Sequence, residues 1–476
     1  MTDNNKEYDV VVIGAGPAGY VCAIRCSQLG MKVACIDQWV NTKGKPSLGG
    51  TCLNVGCIPS KALLDSSHHV HFLKEQAKEH GIKVGRLEVD VATMQKRKDK
   101  IVQVLTGGVA SLLKKNKVDV FSAVASFASP KSIKVQNAGT QLSETLQAKH
   151  VVIASGSVPI DIPIAKVDNK TVLDSTGALD LQDVPKRLGI IGAGVIGLEM
   201  GSVWKRLGSE VVILEAMKEF LPTADQAISK EAYKILTKQG LDIRMNSLVN
   251  AVTVDNGKAL VKYESNGEQK SLEIDKLIVA VGRKANIDGL DLDVAKIKTN
   301  QKGFIETNQN WQTSAENVYA IGDVIGGAML AHIGSEEGIA VAELLAGQHA
   351  KMNHDHIPWV IYTWPEIAWA GKTQQDCKDE GIQYRVGTFP FMALGRARAM
   401  GDTEGVFKII ADKNTDQIIG VHILGPNASE LISEAVVAME SDLSAEDLAR
   451  TIHAHPSLAE GMHEAALAVD ERAIHI

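Results

Sequence analysis

Cysteine is scarce in this chain, with six residues among 476. Such scarcity excludes the disulfide-stapled scaffold of a small secreted domain, in which cysteines are dense. In a reducing compartment a disulfide is usually transient and catalytic. Two cysteines close together in such a sequence are therefore candidates for redox chemistry, and Cys52 and Cys57 are close together.

The sequence also lacks long apolar runs and an excess of basic charge. No run approaches the roughly 18 apolar residues that span a bilayer. The formal net charge of -7 provides no basic surface for nucleic acid and disfavours anionic membranes. The first residues, MTDNNKEYDVVVIG, pass from a polar lead into a predicted strand without the features of a signal or transit segment. We therefore expect a cytoplasmic protein that binds neither nucleic acid nor membrane.

The composition is that of a globular protein, with 45% hydrophobic and 22% charged residues. A single hydrophobic core rarely serves so long a chain, because domains usually hold roughly 100–200 residues. Three or four domains are predicted.

A glycine-rich turn follows the first predicted strand, in DVVVIGAGPAG. Gly14, Gly16 and Gly19 fit the pattern G-x-G-x-x-G, a helical stretch follows, and the next strand, KVACID, ends at Asp37. In a dinucleotide-binding unit the first glycine makes the tight turn and the second lets backbone N–H groups approach the pyrophosphate. The helix N-terminus attracts the pyrophosphate, and the acid binds a ribose hydroxyl.

The same pattern recurs at Gly192, Gly194 and Gly197, with Glu215 at the end of the following strand. One glycine pattern is a weak signal, but two with the same order of elements and the same spacing to the acid predict two dinucleotide sites. A carboxylate at Glu215 suits the free 2′-hydroxyl of NAD and repels the 2′-phosphate of NADP. We therefore predict that the second site binds NAD and that the first site binds FAD. Hydride could then pass from one cofactor to the other.

A third segment, TSAENVYAIGDV, reads as a strand that ends at Gly322 and Asp323. An acid at a strand end could accept a hydrogen bond from a polyol such as the ribityl chain of FAD. An ordinary strand-end aspartate is the alternative that this segment alone leaves open.

The segment GGTCLNVGCIP carries Cys52 and Cys57, for which a metal site, a structural disulfide and a redox pair are the alternatives. A zinc site needs a second pair of ligands, and none stands at a suitable spacing. GGTC stands before the predicted helical segment IPSKALLDSS, which would place Cys52 near a helix N-terminus, and such a position lowers the pKa of a thiol. A redox pair is favoured, and the other cysteines are predicted to be core residues, namely Cys22, Cys26, Cys35 and Cys377.

Thiol exchange needs a proton carrier, and histidine is the usual one near pH 7. The segment HAHPSLAEGMHEAAL holds three candidates, His453, His455 and His463. Glu460 in the same segment could orient one of them, as an acid does in a catalytic triad. Position along the chain does not choose among the three.

On these motifs the whole chain resembles the pyridine nucleotide-disulfide oxidoreductase family, and within it the bacterial dihydrolipoamide dehydrogenases, the E3 components of 2-oxo acid dehydrogenase complexes. The segments that carry the resemblance are GGTCLNVGCIPSK, HPSLAEGMHEAAL, STGALDL, GVIGLE, VAVGRKAN and VYAIGDV. It implies an α/β fold with two Rossmann-like domains. The implied spans are an FAD domain with the redox disulfide at 1–157, an NAD domain at 158–286, a central domain at 287–355 and an α+β dimerisation domain at 356–476.

The resemblance also implies an enzyme that oxidises protein-bound dihydrolipoyl groups and reduces NAD+ through a disulfide and FAD. Cys52 would exchange with the lipoyl sulfurs, and Cys57 would face the flavin. His455 would be the acid–base with Glu460 as its partner, and a cis peptide at His455–Pro456 would aim it. In the family this histidine reaches the site from the other subunit of a homodimer, and a lipoylated E2 acyltransferase, with its lipoyl and subunit-binding domains, is the partner.

Cofactor contacts follow from the same resemblance, with no metal. Lys61 is expected near the flavin, paired with Glu199. Two positions depart from the family pattern: Ala125 stands where many members have glycine, and Trp364 stands where His or Asn is common. The residues expected to touch FAD are Gly14, Gly16, Gly19, Asp37, Lys61, Ala125, Ser155, Gly156, Asp323, Met329, Leu330, Ala331 and His332. Those expected at NAD are Gly192, Gly194, Gly197, Glu199, Glu215 and Gly282.

Other members of the same broad class are less compatible with the sequence. Glutathione reductase should carry basic residues after the second glycine turn, where LEAMKEF carries an acid. Mercuric reductase and a thioredoxin reductase of this size should have a C-terminal cysteine pair, which VDERAIHI lacks, and a transhydrogenase would lack the active cysteines. A component that mainly docks into a multienzyme complex is a further alternative, and it is compatible with catalysis.

Overall fold

The computed structural model describes residues 6–41, 43–137, 143–350 and 352–476. The chain divides into two compact units, each assembled from separate segments. The first unit comprises Met1–Ala62, Thr93–Ile160 and Val281–Met352, as far as these are described, and the second comprises Leu63–Ala92, Asp161–Ala280 and Asn353–Ile476. The four domain spans implied by the resemblance stay a prediction.

The described residues form strands and helices throughout both units. The strands are β1 (Lys6–Ile13), β2 (Val33–Asp37), β3 (Asp119–Ser129), β4 (Ser132–Asn137), β5 (Ser143–Ile153), β6 (Ser157–Pro159), β7 (Val172–Leu173), β8 (Arg187–Ile191), β9 (Glu210–Leu214), β10 (Leu241–Arg244), β11 (Ser247–Asp255), β12 (Lys258–Ser265), β13 (Glu268–Ile274), β14 (Lys276–Val279), β15 (Arg283–Ala285), β16 (Val318–Ala320), β17 (Trp359–Ile361), β18 (Glu366–Gly371), β19 (Tyr384–Pro390), β20 (Val406–Asp412) and β21 (Ile418–Gly425).

The helices are α1 (Pro17–Gln28), α2 (Gly50–Val55), α3 (Cys57–His71), α4 (Val91–Lys115), α5 (Ser175–Ala178), α6 (Val195–Leu207), α7 (Gln226–Lys238), α8 (Ala331–Leu345), α9 (Gln374–Asp379), α10 (Gly395–Met400), α11 (Ala428–Glu440), α12 (Ala445–Arg450) and α13 (Glu460–Ala468). Within the described part of the chain, none of them has the length and apolar character needed to cross a membrane.

The first unit is built on a parallel sheet in which β1 lies between β2 and β5. Strand β3 continues the sheet beyond β2, and β16 continues it beyond β5, both in parallel. Strand β4 then joins β3 to β5 by antiparallel pairing. The central residues Val10, Val11 and Val12 are fully buried, as expected for a parallel strand covered on both faces.

Helix α8 packs closely on α1 in the first unit because the contact is made by small residues. A Cβ on Gly338 would lie 2.6 Å from the carbonyl oxygen of Ala18, and one on Gly334 would lie 3.0 Å from the Ala18 methyl group. Cys22, Cys26 and Cys35 are fully buried, as is Cys377 in the second unit. Their predicted place in the core is confirmed.

The second unit holds another parallel sheet and two antiparallel ones. The parallel sheet has the order β10-β9-β8-β14-β7, and β11, β12 and β13 form a three-stranded meander. Strands β17 to β21 form an antiparallel sheet in the order β17-β18-β21-β20-β19, whose core includes the apolar residues of α11, α12 and α13. The predicted α/β class, with two parallel nucleotide-type sheets and a C-terminal α+β region, is confirmed.

A buried ion pair joins helix α7 to the C-terminal sheet within the second unit. Lys408 on β20 and Asp225, the N-cap of α7, lie 2.5 Å apart, and each side chain is only 2% exposed. Burial opposes ionisation of Asp225, but the bonds from Lys408 and from the backbone N–H of Gln374 outweigh it and lower its pKa. Asp225 also accepts the N–H of Ala227, so one carboxylate serves both the helix and the sheet.

We predict that Lys408→Met destabilises the second unit. Removal of one partner leaves the Asp225 carboxylate buried without a countercharge, which costs about 3 kcal/mol or more. Urea-induced unfolding measures this loss as a lower unfolding midpoint. Lys413→Met is the matched control, because Lys413 is exposed just after the same strand and its loss should cost less than about 0.5 kcal/mol. Equal midpoints for the two variants would contradict the prediction.

Candidate active site

The first glycine turn joins β1 to α1 so tightly that side chains cannot fit at two of its three glycines. A Cβ on Gly14 would lie 2.2 Å from the carbonyl oxygen of Ala154, and one on Gly19 would lie 1.9 Å from the carbonyl oxygen of Gly14. Gly14 also has a φ of +105°, which disfavours any residue with a side chain. The N-terminus of α1 is thereby held against the end of β1.

Asp37, at the end of β2, is bonded to the same turn. Its Oδ2 accepts the backbone N–H of Ala15 at 2.6 Å, and its Oδ1 accepts that of Trp39 at 2.7 Å. Burial raises the pKa of the carboxyl, and the two N–H bonds act against that rise. The predicted ribose-binding acid therefore also connects the ends of two neighbouring strands.

The second turn, between β8 and α6, repeats this construction. Gly192 has a φ of +104°, and a Cβ on Gly197 would lie 2.0 Å from the Gly192 carbonyl oxygen. Glu215 accepts the backbone N–H groups of Ala193 at 2.8 Å and Met217 at 2.9 Å. The sequence repeat is thus also a repeat of geometry.

The middle glycine of each turn, unlike its neighbours, has open space beside it. No atom lies within 4 Å of a Cβ built on Gly194, and the nearest atom to one built on Gly16 is the Cα of Gly50, at 3.8 Å. Ser155, beside the first turn, has a buried hydroxyl without a hydrogen-bond partner. Space at the helix N-termini and an unsatisfied buried hydroxyl fit the phosphates and polar groups of dinucleotide cofactors.

Asp323 lies just after β16 in the first unit, where a short chain of hydrogen bonds orients it. Its Oδ2 accepts the Ser157 hydroxyl at 2.5 Å, and the Ser157 hydroxyl accepts Arg283 Nε at 2.7 Å. Glu337, buried in α8, accepts the N–H of Gly322 at 2.6 Å. Sequence reasoning gave no role to Ser157, Arg283 or Glu337, because the hydrogen bonds that they make join separate segments of the chain.

The remaining predicted cofactor residues lie in several places. Gly156 has a φ of +74°, and its carbonyl accepts the N–H of Asn286, which places it beside Ser155 in the first unit. Met329 and Leu330 lead into α8, and Ala331 and His332 begin it. Gly282 also belongs to the first unit, whereas Glu199 is buried in α6 of the second, where it accepts the N–H of Tyr362 at 3.1 Å. The predicted pairing of Lys61 with Glu199 stays a prediction.

The two cysteines of the GGTCLNVGCIP segment both belong to the first unit and lie in different helices. Cys52 is in the six-residue helix α2, and Cys57 is the first residue of the longer helix α3. Both are thiols in this structure, and the two side chains are hydrogen-bonded to each other. The pair is therefore close enough to form and break a disulfide.

The expectation that a helix N-terminus lowers the pKa of the Cys52 thiol is wrong. The hydrogen bond to Cys57 raises the pKa of Cys52, and burial raises it further, while the charge of Lys61 only partly opposes the rise. Cys52 lies in the first turn of α2, which ends at Val55, and the predicted helix over IPSKALLDSS is part of α3, which begins at Cys57. The sequence alone did not reveal this break.

His455 forms an acid–base pair with Glu460 in the second unit. Its Nδ1 lies 2.8 Å from Oε1 of Glu460, whose other oxygen accepts the N–H of Ser457 at 2.8 Å. Burial opposes ionisation of Glu460, but these two bonds outweigh it and lower its pKa. Because Nδ1 donates to a carboxylate, Nε2 remains as the proton acceptor. The predicted cis peptide at His455–Pro456 is confirmed.

The structure separates the three histidines that the sequence could not rank. His453 bonds to Glu434 rather than to Glu460, and Nδ1 of His463 is buried without a hydrogen-bond partner. Only His455 is both paired with Glu460 and largely exposed in the isolated chain, with 80% of its side chain accessible.

Two family models match most of the chain. Residues 8–338 match the family model described as pyridine nucleotide-disulphide oxidoreductase, and residues 357–466 match the dimerisation domain of the same family. The chain belongs to the pyridine nucleotide-disulphide oxidoreductase family.

Individual proteins are similar to this chain over nearly its full length. A dihydrolipoyl dehydrogenase of Cupriavidus necator is 51% identical, with 99% of this chain and 100% of that protein covered. The mitochondrial dihydrolipoyl dehydrogenase of Pisum sativum is 47% identical and covers 100% of this chain, with 94% of its own length matched. A solved HOCl-induced flavoprotein disulfide reductase from Escherichia coli is 30% identical, with a TM-score of 0.86 and coverage of 97% of this chain and 99% of its own.

The two departures from the family pattern have local explanations. Ala125 lies in β3 opposite Val135 and is absent from the residues with positive φ, so alanine is accommodated there without backbone strain. Trp364 precedes a cis proline, donates its indole N–H to Asp402 at 3.1 Å and packs its ring 4.3 Å from that of His68. Tryptophan thus ties its loop to the end of α3 within the second unit.

We predict that alanine lowers stability at one glycine of the second glycine turn and weakens NADH binding at another. Gly197→Ala should lower the thermal unfolding temperature, because the added methyl group meets the Gly192 carbonyl and overpacking costs about 1–3 kcal/mol. Gly194→Ala should unfold close to wild type, since nothing lies within 4 Å and its φ of −79° suits alanine. It should nevertheless weaken NADH binding about tenfold, measured by titration, because the methyl group fills the space beside the helix N-terminus. Wild-type NADH affinity in Gly194→Ala would contradict the assignment of this turn.

Proposed function

We propose that this oxidoreductase is a dihydrolipoyl dehydrogenase, which oxidises dihydrolipoyl groups and reduces NAD+. The observation that carries the proposal is the interacting thiol pair of Cys52 and Cys57, in the same unit as the first glycine turn. Such a pair can exchange with an external dithiol of matching chemistry. The full-length similarity to dihydrolipoyl dehydrogenases supports the choice of that dithiol.

The first step is proton removal from the substrate. The family match includes a dimerisation domain, so the active form is a homodimer, and in our proposal His455 of the partner subunit completes each site. Its Nε2 takes a proton from one dihydrolipoyl thiol, while Glu460 holds the imidazole through Nδ1 and stabilises the positive charge that results.

Disulfide exchange then transfers two electrons from the substrate to the cysteine pair. The substrate thiolate attacks Sγ of Cys52 in the oxidised pair, a mixed disulfide forms, and Cys57 leaves as a thiolate. The second substrate thiol then attacks the lipoyl sulfur of the mixed disulfide, and its proton passes to Cys52 as Cys52 leaves. The lipoyl ring closes, and the histidine keeps the first proton. The substrate is thereby oxidised to a cyclic disulfide, and the protein pair is reduced to a Cys52 thiol and a Cys57 thiolate.

FAD and NAD are the cofactors, held by the first turn with Asp37 and Asp323, and by the second turn with Glu215. When bound, they supply the hydride chemistry by which the electrons of the reduced cysteine pair pass to NAD+. The chain's own part is to place the two helix N-termini and acids that bind them.

The substrate carrier in this proposal is a lipoylated E2 acyltransferase, which presents a lipoyl domain and a subunit-binding domain. A cytoplasmic setting belongs to the same proposal, supported by the scarcity of cysteine and by a thiol pair that must cycle between oxidised and reduced forms.

We predict that hybrid dimers distinguish a shared site from a site within one chain. Cys52→Ser and His455→Gln homodimers should each lose nearly all NAD+ reduction by dihydrolipoamide, whereas the wild type turns over. After subunit exchange, a hybrid dimer holds one site with both lesions and one with neither, because a two-fold interface forms two equivalent sites. Activity per hybrid should therefore return to about half of the wild-type value.

Mass spectrometry of the mixed sample shows whether exchange has occurred, and a mixture of Cys52→Ser with Cys57→Ser is the matched control. Both lesions of that control lie on the same thiol pair, so every site in every dimer is defective and activity should stay absent. Exchange without recovery in the first mixture would place both groups of each site within one chain. Absence of wild-type turnover would instead overturn the proposed reaction.

The nucleotide preference provides an independent prediction. We expect kcat/KM for NAD+ to exceed that for NADP+ by about a hundredfold, because like charges brought together at Glu215 cost several kcal/mol. Glu215→Gln removes the charge and keeps one of the two oxygens that accept the N–H groups of Ala193 and Met217, so the ratio should fall about tenfold. Glu210→Gln, at the opposite end of β9, is the control and should leave the ratio unchanged. Equal rates for the two nucleotides in the wild type would refute the preference.

A further inference from the structure

The loop between α12 and α13 carries a second histidine–glutamate pair beside the proposed base. Nε2 of His453 lies 2.6 Å from Oε1 of Glu434 on α11, and its Nδ1 lies 2.9 Å from the carbonyl oxygen of Thr451. The His453 side chain is only 7% exposed, in contrast to the 80% exposure of His455 two residues later. The first histidine is therefore built into the loop, and the second projects from it.

Both partners of His453 are hydrogen-bond acceptors. A carbonyl oxygen cannot donate, and an ionised carboxylate cannot donate either, so the ring satisfies both only with a proton on each nitrogen. The ring is then a cation. The bond to Glu434 raises the pKa of His453 in spite of its burial, and the Thr451 carbonyl and the charge of Glu460 act in the same direction.

The titratable groups recorded around His453 come from each packed element. Glu434 faces it from α11, Glu460 acts on it from the start of α13, and the His463 ring on α13 lies 5.4 Å away between centroids. On its own loop, His455 follows two residues later and shares Glu460. A buried positive charge at His453 therefore lies in the field of the same carboxylate that holds the base.

We propose that His453, clamped between Glu434 and Thr451, is a positioning residue for His455, which both anchors its loop and sets a fixed positive charge beside the Glu460–His455 pair. This inference rests on the function proposed above. Glu460 favours a second proton on His455, and the positive charge of His453 disfavours it. His455 is therefore able to accept a proton from substrate at a lower pH than it would be without that charge. His453 touches no substrate in this proposal and acts only through its neighbour.

Glu434→Gln tests the charge while it preserves the shape. The glutamine amide donates to Nε2 of a neutral ring, and the Nδ1 proton still bonds to Thr451, so both contacts survive without the cation. We expect the acidic limb of the kcat/KM profile for dihydrolipoamide to move upward by about half to one pH unit, a three- to tenfold loss on that limb. At alkaline pH the rate should return to within about twofold of the wild type, because the loop is intact.

A titration of the full-length protein carrying ring-labelled histidine measures the charge itself. The NMR signal of His453, identified by its loss in His453→Gln, should remain that of an imidazolium at pH 7 in the wild type. It should become neutral at pH 7 in Glu434→Gln. A neutral His453 in the wild type would overturn the proposal whatever the activity profile shows.

The matched control is Glu440→Gln, which breaks another histidine–glutamate pair on the same helix. Glu440 bonds to Nδ1 of His356 at 2.9 Å, at the far end of α11. This change should move neither the His453 signal nor the pH limb. An unchanged limb in Glu434→Gln, or equal shifts in both variants, would overturn the positioning role. Wild-type turnover is measured separately, so failure of the proposed reaction is distinguished from failure of this inference, which the histidine titration still decides.

Discussion

The close approach of a helix to the strand before it, at each glycine turn, is the constraint on which the site depends. At Gly19 and Gly197 the space for a side chain is already taken by the carbonyl oxygen of the first glycine in the same turn. This contact directs the N-terminus of α1 and of α6 toward the carboxyl end of its own sheet. The acid at the end of the neighbouring strand then bonds to the turn itself. Helix, turn and acid form one construction, made twice.

Two histidine–glutamate pairs hold the loop that carries His455, the base of the proposed reaction. Glu460 bonds to His455 and to the backbone at Ser457, so the acid holds both the base and its loop. His453 and Glu434 anchor the same loop on α11. These pairs lie in the C-terminal sheet-and-helix region, whereas the cysteine pair lies with the first glycine turn. In the proposed reaction, proton transfer is therefore assigned to residues of the second unit and electron transfer to residues of the first.

Buried polar groups connect separate elements of the second unit. Asp225 caps α7 and pairs with Lys408 of the C-terminal sheet, and both side chains are nearly inaccessible. A charge pair of this kind contributes little net stability, since desolvation offsets attraction, but its loss is expensive once one partner is missing. The Asp225–Lys408 pair determines which residues contact each other across the second unit. The bond from Glu199 to the backbone of Tyr362 does the same.

The sequence by itself determined the glycine turns, the acids that follow them, the cysteine pair and the α/β class, because each depends on residue type at short spacing. The positions of His453, His455 and His463 in the sequence did not show which of them is the base, and only the resemblance indicated His455. In the structure His455 is bonded to Glu460, whereas His453 is bonded to a different acid, Glu434. The predicted helix over IPSKALLDSS lies within α3, and Cys52 lies in the first turn of the short helix α2, but its contact with Cys57 and its burial raise the pKa of the thiol instead of lowering it. Tertiary structure also decided the contacts of Ser157, Arg283 and Asp323, since their partners are more than a hundred residues apart. Local patterns record backbone geometry, but contacts between distant segments depend on packing that no short window of sequence contains.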